Sequence, residues 1–134
     1  MNINILVVED DTRIQDMVCK FLRNEGWLVD ACANGDDALT LFYDKTYQLI
    51  ILDIMLPGTN GQELLKDLRE INDTPVLMMT ALSDDDNQLR AFNNQVDDYV
   101  TKPFSISWSF IYDNSCIRNL LLRSTTLNYL RCFY

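Results

Sequence analysis

Residues 49–58 read LIILDIMLPG, an apolar run that contains a single carboxylate, that of Asp53. The part from residue 48 to residue 53 predicts a buried strand with Asp53 at its C-terminal tip, and Pro57-Gly58 predicts a turn shortly afterwards. Burying a lone charge is costly unless it is paired or bound to a metal. Open α/β sheets place ligand sites at the carboxyl ends of their strands. Asp53 is therefore the first candidate for a functional residue.

Strands and helices alternate on both sides of this run. The other predicted strands are residues 3–8, 27–32, 75–80 and 98–101. Amphipathic helices are predicted between them. The first ends at Gly26 and carries the apolar residues Ile14, Met17, Val18, Phe21 and Leu22. The second covers residues 36–45, the third begins at Gly61, and the fourth follows an N-cap at Ser83. This alternation predicts an α/β fold, with a parallel sheet and helices on both of its faces.

Composition argues against several classes of function. The 134 residues suit one domain, and a net charge of −9 argues against a nucleic-acid-binding surface, which would be basic. No apolar run approaches the ~20 residues of a membrane-spanning helix, and the strand pattern that follows Met1 directly is not that of a signal peptide, so we expect a cytoplasmic protein. The sequence contains no histidine, which argues against most kinds of zinc site and against a Ser-His-Asp triad. The four cysteines have no CxxC spacing and are expected to be free thiols.

Polar residues occur where four of the predicted strands end. Glu9 and Asp10 follow the first strand, Asp53 ends the third, Thr80 ends the fourth and Lys102 follows the fifth. In a parallel sheet these ends meet at one edge, where clustered carboxylates repel one another unless a cation is bound. Mg²⁺ takes one or two carboxylates and is completed by waters and phosphate oxygens. With a hydroxyl and an ammonium group beside it, Asp53 is predicted to be a Mg²⁺-dependent phosphoryl acceptor.

Residues 1–104 resemble the receiver domain of two-component response regulators, and their details look most like receivers of the winged-helix transcription-factor subfamily. The resemblance rests on four segments in order, each at a strand end: residues 7–11 (VVEDD), 52–58 (LDIMLPG), 79–81 (MTA) and 98–104 (DYVTKPF). It implies a flavodoxin-like, doubly wound fold with a five-stranded parallel sheet of strand order 2-1-3-4-5.

The resemblance implies that Asp53 is a phosphoacceptor, and that the donor is the phosphohistidine of a partner histidine kinase. Asp10, Asp53 and the backbone carbonyl of Met55 would hold Mg²⁺, with Glu9 helping through water. The protein would then be a signalling switch and not an enzyme in the ordinary sense.

Three further residues receive roles from the same resemblance. Thr80 would move to bind the phosphoryl group, Lys102 would pair with it, and Tyr99 would be the aromatic switch that turns inward when Thr80 moves. Tyr99 also suits a plain core position, because aromatic side chains favour strands. Asp11, by contrast, is expected to belong to the solvated entry of the first helix.

Met55 lies two residues after the acceptor, where a polar side chain could orient an attacking water. A methionine there predicts slow self-dephosphorylation. It also argues against an enzyme alternative, the phosphatases of the haloacid dehalogenase type, because that family needs a second aspartate at this position.

The resemblance stops after Phe104. In residues 106–112 every second residue is apolar, and two of the residues between them are serine, which is a strand pattern. A helical pattern returns only with Cys116, Ile117, Leu120 and Leu121. We expect a receiver domain over residues 1–121 and an atypical tail over residues 122–134, with no effector domain. Three interpretations stay open: an unusual fifth helix, the frameshifted or truncated end of a longer transcriptional regulator, and an oligomerisation segment.

Output would then pass through protein contacts. A homodimer could use the face of the fourth helix and fifth strand or exchange the C-terminal segment, since domain exchange is a low-cost route to a dimer. A receiver-like interaction module that no longer switches is the remaining alternative.

Overall fold

The computed structural model describes residues 3–53, 56, 58, 61–80, 98–101, 117–118 and 121–122, with Gln62, Thr80 and residues 98–101 described by their backbone alone. Five strands and three helices have defined bounds within these residues. In chain order they are β1 (Asn4–Val8), α1 (Thr12–Asn24), β2 (Leu28–Cys32), α2 (Gly35–Asp44), β3 (Leu49–Asp53), α3 (Gly61–Ile71), β4 (Val76–Thr80) and β5 (Asp98–Thr101).

The strands form one parallel sheet in the order β2-β1-β3-β4-β5, as predicted. The register brings the strand ends to a common edge: Val8 pairs with Leu52, Asp53 with Met79, and Thr80 with Thr101. Because all five strands run in the same direction, their carboxyl ends lie at this common edge.

Apolar side chains cover both faces of the sheet, which confirms the doubly wound arrangement. The first core cluster joins residues such as Leu6, Val8 and Ile50 to Phe42 of α2 and Leu65 of α3. The second cluster joins the other strand faces to α1, and its members are Ile5, Val7, Val18, Cys19, Leu22, Val29, Leu49, Ile51, Leu77, Met79, Ile117 and Leu121. β3 is buried along its whole length, as its uninterrupted apolar run predicts.

Local signals explain where α2 begins and where α1 ends. Asn34 caps α2 by accepting a hydrogen bond from the backbone N–H of Asp37 at 2.8 Å, so the predicted Asn34-Gly35 turn leads directly into the helix. Gly26 follows α1 with φ of 91°, a left-handed conformation that glycine adopts without steric cost. No helix in the described part of the chain is long and apolar enough to span a membrane.

Two predicted elements, the fourth helix after Ser83 and the strand pattern of residues 106–112, lie outside the described residues. Beyond β5 the structure describes Ile117, Arg118, Leu121 and Leu122, and all four are helical. At these positions the helical pattern inferred from Ile117 and Leu121 agrees with the structure.

Candidate functional site

Three carboxylates meet at the carboxyl edge of the sheet, between β1 and β3. Glu9 and Asp10 follow β1, and Asp53 is the last residue of β3. One oxygen of each lies within 4.8 Å of the others. The chain leaves β1 towards β2 and leaves β3 towards β4 on the other side, so the cluster lies at the point where the strand order reverses, a usual location for ligand sites in open α/β sheets.

The cluster is partly buried. Glu9 and Asp53 are 0% and 1% exposed, whereas Asp10 is exposed to solvent. Burial strengthens the electrostatic interaction between these charges, because the surrounding dielectric is lower than that of water. The site therefore combines two buried carboxylates with one that is exposed to solvent.

Backbone and side-chain hydrogen bonds hold Glu9 in place. Its N–H donates to the carbonyl of Cys32 at 3.0 Å, which extends the pairing of β1 with β2 by one residue. Its Oε1 accepts from the backbone N–H of Asp11 at 3.1 Å. Gln15 adds two bonds, since its Nε2 donates to the carbonyls of Glu9 at 2.8 Å and Cys32 at 3.1 Å. Gln15 thus fixes the loop that presents Glu9 and Asp10, a role that sequence patterns did not reveal because it joins residues far apart in the chain.

Asp11 has a different task from its two acidic neighbours. Its Oδ1 accepts from the backbone N–H groups of Arg13 at 2.9 Å and Ile14 at 3.3 Å, so it is the N-cap of α1. The expectation that Asp11 belongs to the helix entry is confirmed. Of the three consecutive acidic residues, Glu9 and Asp10 turn towards Asp53 and Asp11 turns towards the helix.

The donor set fits Mg²⁺. Carboxylate oxygens are the hard ligands that this cation takes, usually with several waters retained, and Asp10 is exposed to solvent. The described part of the site contains no nitrogen or sulfur donor among the clustered groups, which sets it apart from a zinc site.

The other predicted site residues are placed less completely. Thr80 ends β4 one residue after Met79, the strand partner of Asp53, and Tyr99 lies in β5 opposite Met78. The side chains of Thr80 and Tyr99 lie outside the described part, as do Met55 and Lys102. The structure thus brings Glu9, Asp10 and Asp53 together, and the contribution of the remaining residues stays a prediction.

The profile of the response regulator receiver domain matches residues 5–108. The chain belongs to the response regulator receiver domain family. Receivers are signalling switches of two-component systems and not enzymes in the ordinary sense, and the resemblance seen in the four sequence segments is confirmed.

Curated relatives agree with this assignment. The receiver is 61% identical over 106 residues to the regulatory protein VanRB of Enterococcus faecalis. The aligned region covers 79% of this chain and 48% of VanRB. It is 41% identical over 101 residues to the transcriptional regulatory protein ResD of Bacillus subtilis. Here the aligned region covers 75% of this chain and 42% of ResD. The chain spans about half the length of the curated relatives it matches.

Solved structures share the fold. A putative response regulator from Chloroflexus aurantiacus is 30% identical with a TM-score of 0.77, covering 91% of this receiver and 99% of that chain. The response regulator TrrA of Thermotoga maritima, solved in complex with Mg²⁺-BeF, is 32% identical with a TM-score of 0.72, covering 90% of this receiver and 99% of that chain.

Proposed function

We propose that this receiver is a phosphoacceptor switch, in which Asp53 accepts a phosphoryl group in a Mg²⁺-dependent reaction. One observation carries the proposal: the Asp53 carboxylate lies at the tip of β3 with an oxygen within 4.8 Å of oxygens of Glu9 and Asp10. Three carboxylates this close favour a bound dication, and a carboxylate next to a dication can accept a phosphoryl group.

The ligands proposed for Mg²⁺ are Asp10, Asp53 and the backbone carbonyl of Met55, with Glu9 acting through water. When bound, the cation would offset the charge that develops on the phosphoryl oxygens. The structure of the response regulator TrrA, which is 32% identical and was solved in complex with Mg²⁺-BeF, supports the choice of Mg²⁺ as the cation.

The proposed reaction is an in-line displacement. An Asp53 carboxylate oxygen attacks the phosphorus of a phosphohistidine on a partner kinase, an O–P bond forms, the P–N bond breaks and the imidazole leaves with its electron pair. Thr80 and Lys102 are proposed to bind the phosphoryl oxygens, and Tyr99 to respond when Thr80 moves.

A sensor histidine kinase is the proposed donor, because this chain contains no histidine of its own. The names of VanRB, a regulatory protein, and ResD, a transcriptional regulatory protein, support a role in transcriptional control. A cytoplasmic location fits the free thiols of Cys19 and Cys32, since disulfides are rare in that compartment.

The test is phosphorylation with acetyl phosphate and Mg²⁺, followed by intact-mass measurement. We expect the wild type to gain one phosphoryl group and Asp53→Asn to gain none. Asp11→Asn is the matched control: it also removes one negative charge from the same region, but asparagine is as good an N-cap as aspartate, so acceptance should persist.

The outcome also separates the alternatives. A wild-type chain that stays unmodified and shows no shift in melting temperature with beryllofluoride and Mg²⁺ would favour an interaction module that does not switch. Catalytic turnover of acetyl phosphate, lost in Asp53→Asn, would favour a phosphatase. Modification of both wild type and Asp53→Asn would place the acceptor elsewhere and refute the assignment.

A further inference from the structure

The two peptide units that flank Asp10 are each held by a hydrogen bond. The first joins Glu9 to Asp10, and its carbonyl, that of Glu9, accepts from Gln15 Nε2 at 2.8 Å. The second joins Asp10 to Asp11, and its N–H donates to Oε1 of Glu9 at 3.1 Å. Because a peptide unit is planar, a bond to its carbonyl or its N–H restrains the whole plane. The backbone on both sides of Asp10 is therefore restrained, although Asp10 is exposed to solvent.

Gln15 reaches this loop from a rigid element. It lies in the first turn of α1, where its own backbone N–H donates to the carbonyl of Asp11 at 2.9 Å. The residue is half-buried, and its side-chain amide reaches back six positions along the chain to Glu9. A group carried by a helix positions its partner more precisely than a group carried by a loop.

The same amide ties the loop to β2. Gln15 Nε2 donates a second hydrogen bond to the carbonyl of Cys32 at 3.1 Å, and this carbonyl also accepts the N–H of Glu9 at 3.0 Å. The side-chain amide has two hydrogens and a carbonyl oxygen has two lone pairs, so these bonds can form together. The Gln15 amide therefore joins α1 to the carboxyl ends of β1 and β2.

Restraint matters more for Asp10 than for the other two carboxylates of the cluster. Glu9 and Asp53 are buried, whereas Asp10 is exposed, so packing does little to hold its carboxylate. Without a cation, repulsion from the two neighbouring carboxylates favours movement of Asp10 towards solvent. Restraint of the Asp10 backbone opposes that movement.

We infer that Gln15 is a positioning residue for the cation site. It acts through the Glu9–Asp10 peptide unit and not as a ligand, and it keeps the Asp10 carboxylate close to that of Asp53. The inference rests on the proposed Mg²⁺ site and adds to it a residue outside the carboxylate cluster. Loss of a group that orients a metal ligand typically lowers metal affinity by about 10- to 100-fold.

Gln15→Met tests this role, because methionine has a side chain of similar length that cannot donate a hydrogen bond. We expect the dissociation constant of Mg²⁺, measured by an NMR titration with Mg²⁺ alone, to rise about tenfold in Q15M. The order parameter of the Asp10 N–H, measured without Mg²⁺, should fall from the value of about 0.85 that is typical of rigid backbone. This N–H belongs to the peptide unit that Gln15 holds, so it reports on positioning before any cation is bound.

Gln48→Met is the matched control. It makes the same chemical change at a buried glutamine, whose Oε1 accepts from the backbone N–H of Asn4 at 2.6 Å. Gln48 directly precedes β3, at the opposite end of that strand from Asp53. Q48M loses a hydrogen bond as well, but its Mg²⁺ affinity and its Asp10 order parameter should stay at the wild-type values.

Gln15→Asn is a second variant, which keeps the amide on a side chain one methylene shorter. It should shift the Mg²⁺ affinity and the Asp10 order parameter in the same direction as Q15M. If either variant bound Mg²⁺ as tightly as the wild type, the role of Gln15 would be refuted and the proposed function would stand.

The remaining outcomes are also distinct. A wild-type chain that binds no Mg²⁺ would refute the proposed cation site, and the inference would fall with it. An equal loss of affinity in Q48M would show that overall stability, and not Gln15, controls Mg²⁺ binding. A lower affinity of Q15M with an unchanged Asp10 order parameter would show that Gln15 does not act through the Asp10 backbone, which also overturns the inference.

Discussion

At the scale of single residues, the Asp30 carboxylate is held by two donors from the segment that joins α2 to β3. Tyr47 Oη donates to Asp30 Oδ2 at 2.7 Å, and Lys45 Nζ lies 2.9 Å from the same oxygen. The Tyr47 hydrogen bond, followed by that of Lys45, lowers the pKa of Asp30 below its usual value of 3.8. The pKa of Tyr47 is raised, first by burial and then by the hydrogen bond to Asp30.

These shifts predict the behaviour of Tyr47→Phe. A group whose pKa is lowered by folding stabilises the fold above its unfolded pKa, and that stabilisation is lost as the pH falls through the folded pKa. Y47F should therefore cost about 1 kcal/mol of unfolding free energy at pH 7, and the difference from wild type should shrink below pH 3.8.

Urea unfolding at pH 7 and pH 3 measures this difference. Tyr43→Phe is the matched control, because Tyr43 lies 72% exposed on α2 and no described contact links it to Asp30. Equal costs for Y47F and Y43F, or a cost of Y47F that is the same at both pH values, would contradict the prediction.

Met55 carries the second residue-scale prediction. Its thioether cannot align a water for attack on phospho-Asp53, so the half-life of the phosphorylated wild type should be many minutes or longer. Met55→Asn supplies a polar side chain and should shorten it, whereas the apolar Met55→Leu should not. The measurement is loss of the phosphoryl group by intact mass after acetyl phosphate is removed, and a wild-type half-life of seconds would disprove the prediction.

At the scale of elements, α1 depends on its cap. Asp11 satisfies two N–H groups of the first turn, and Asp11→Ala should cost about 1 kcal/mol of stability. Asp16→Ala removes the same charge from an exposed position of α1 and leaves the cap intact, so it should change the melting temperature little. A comparable loss in both variants would show that charge, and not capping, is responsible.

The bounds of β3 and β4 were predicted to within one residue because their buried runs are uninterrupted. The third strand was expected from Gln48 and begins at Leu49; the fourth was expected from Pro75 and begins at Val76. Both outer residues still join the sheet: the N–H of Gln48 donates to Asn4, and the carbonyl of Pro75 accepts from Ile50. Proline has no N–H of its own to donate to a neighbouring strand.

Long-range polar contacts were not predictable from periodicity. Gln15 reads as a polar position of an amphipathic helix, and Asp30 as an exposed strand residue, yet each makes hydrogen bonds across 15 or more positions. The carboxylate cluster could be predicted because parallel strands bring their ends together whatever the side-chain detail. The helical state of Ile117 and Leu121 was predicted from the sequence, but their place in one core cluster with Val18 and Leu22 of α1 required the structure.

At the scale of the whole molecule, the site works against the stability of the fold. The chain has a net charge of −9, and three of its carboxylates meet at one edge of the sheet. Like charges at this distance repel, and the repulsion is strongest where burial lowers the dielectric. Repelling carboxylates of this kind are expected in a site that binds a cation and a phosphoryl group. Substitutions that remove such functional groups often stabilise a protein while they abolish its function.

Asp10→Asn tests this opposition directly. Without Mg²⁺, removal of one repelling charge should raise the melting temperature by a few degrees; with Mg²⁺, the wild type should gain stability through binding, and D10N should gain little. Asp11→Asn, which alters net charge equally but keeps the cap, should keep the Mg²⁺ response of the wild type. Thermal unfolding with EDTA and across a Mg²⁺ titration gives both quantities. If D10N melted lower than wild type without Mg²⁺, or kept the full Mg²⁺ response, Asp10 would not be a member of a strained cation site.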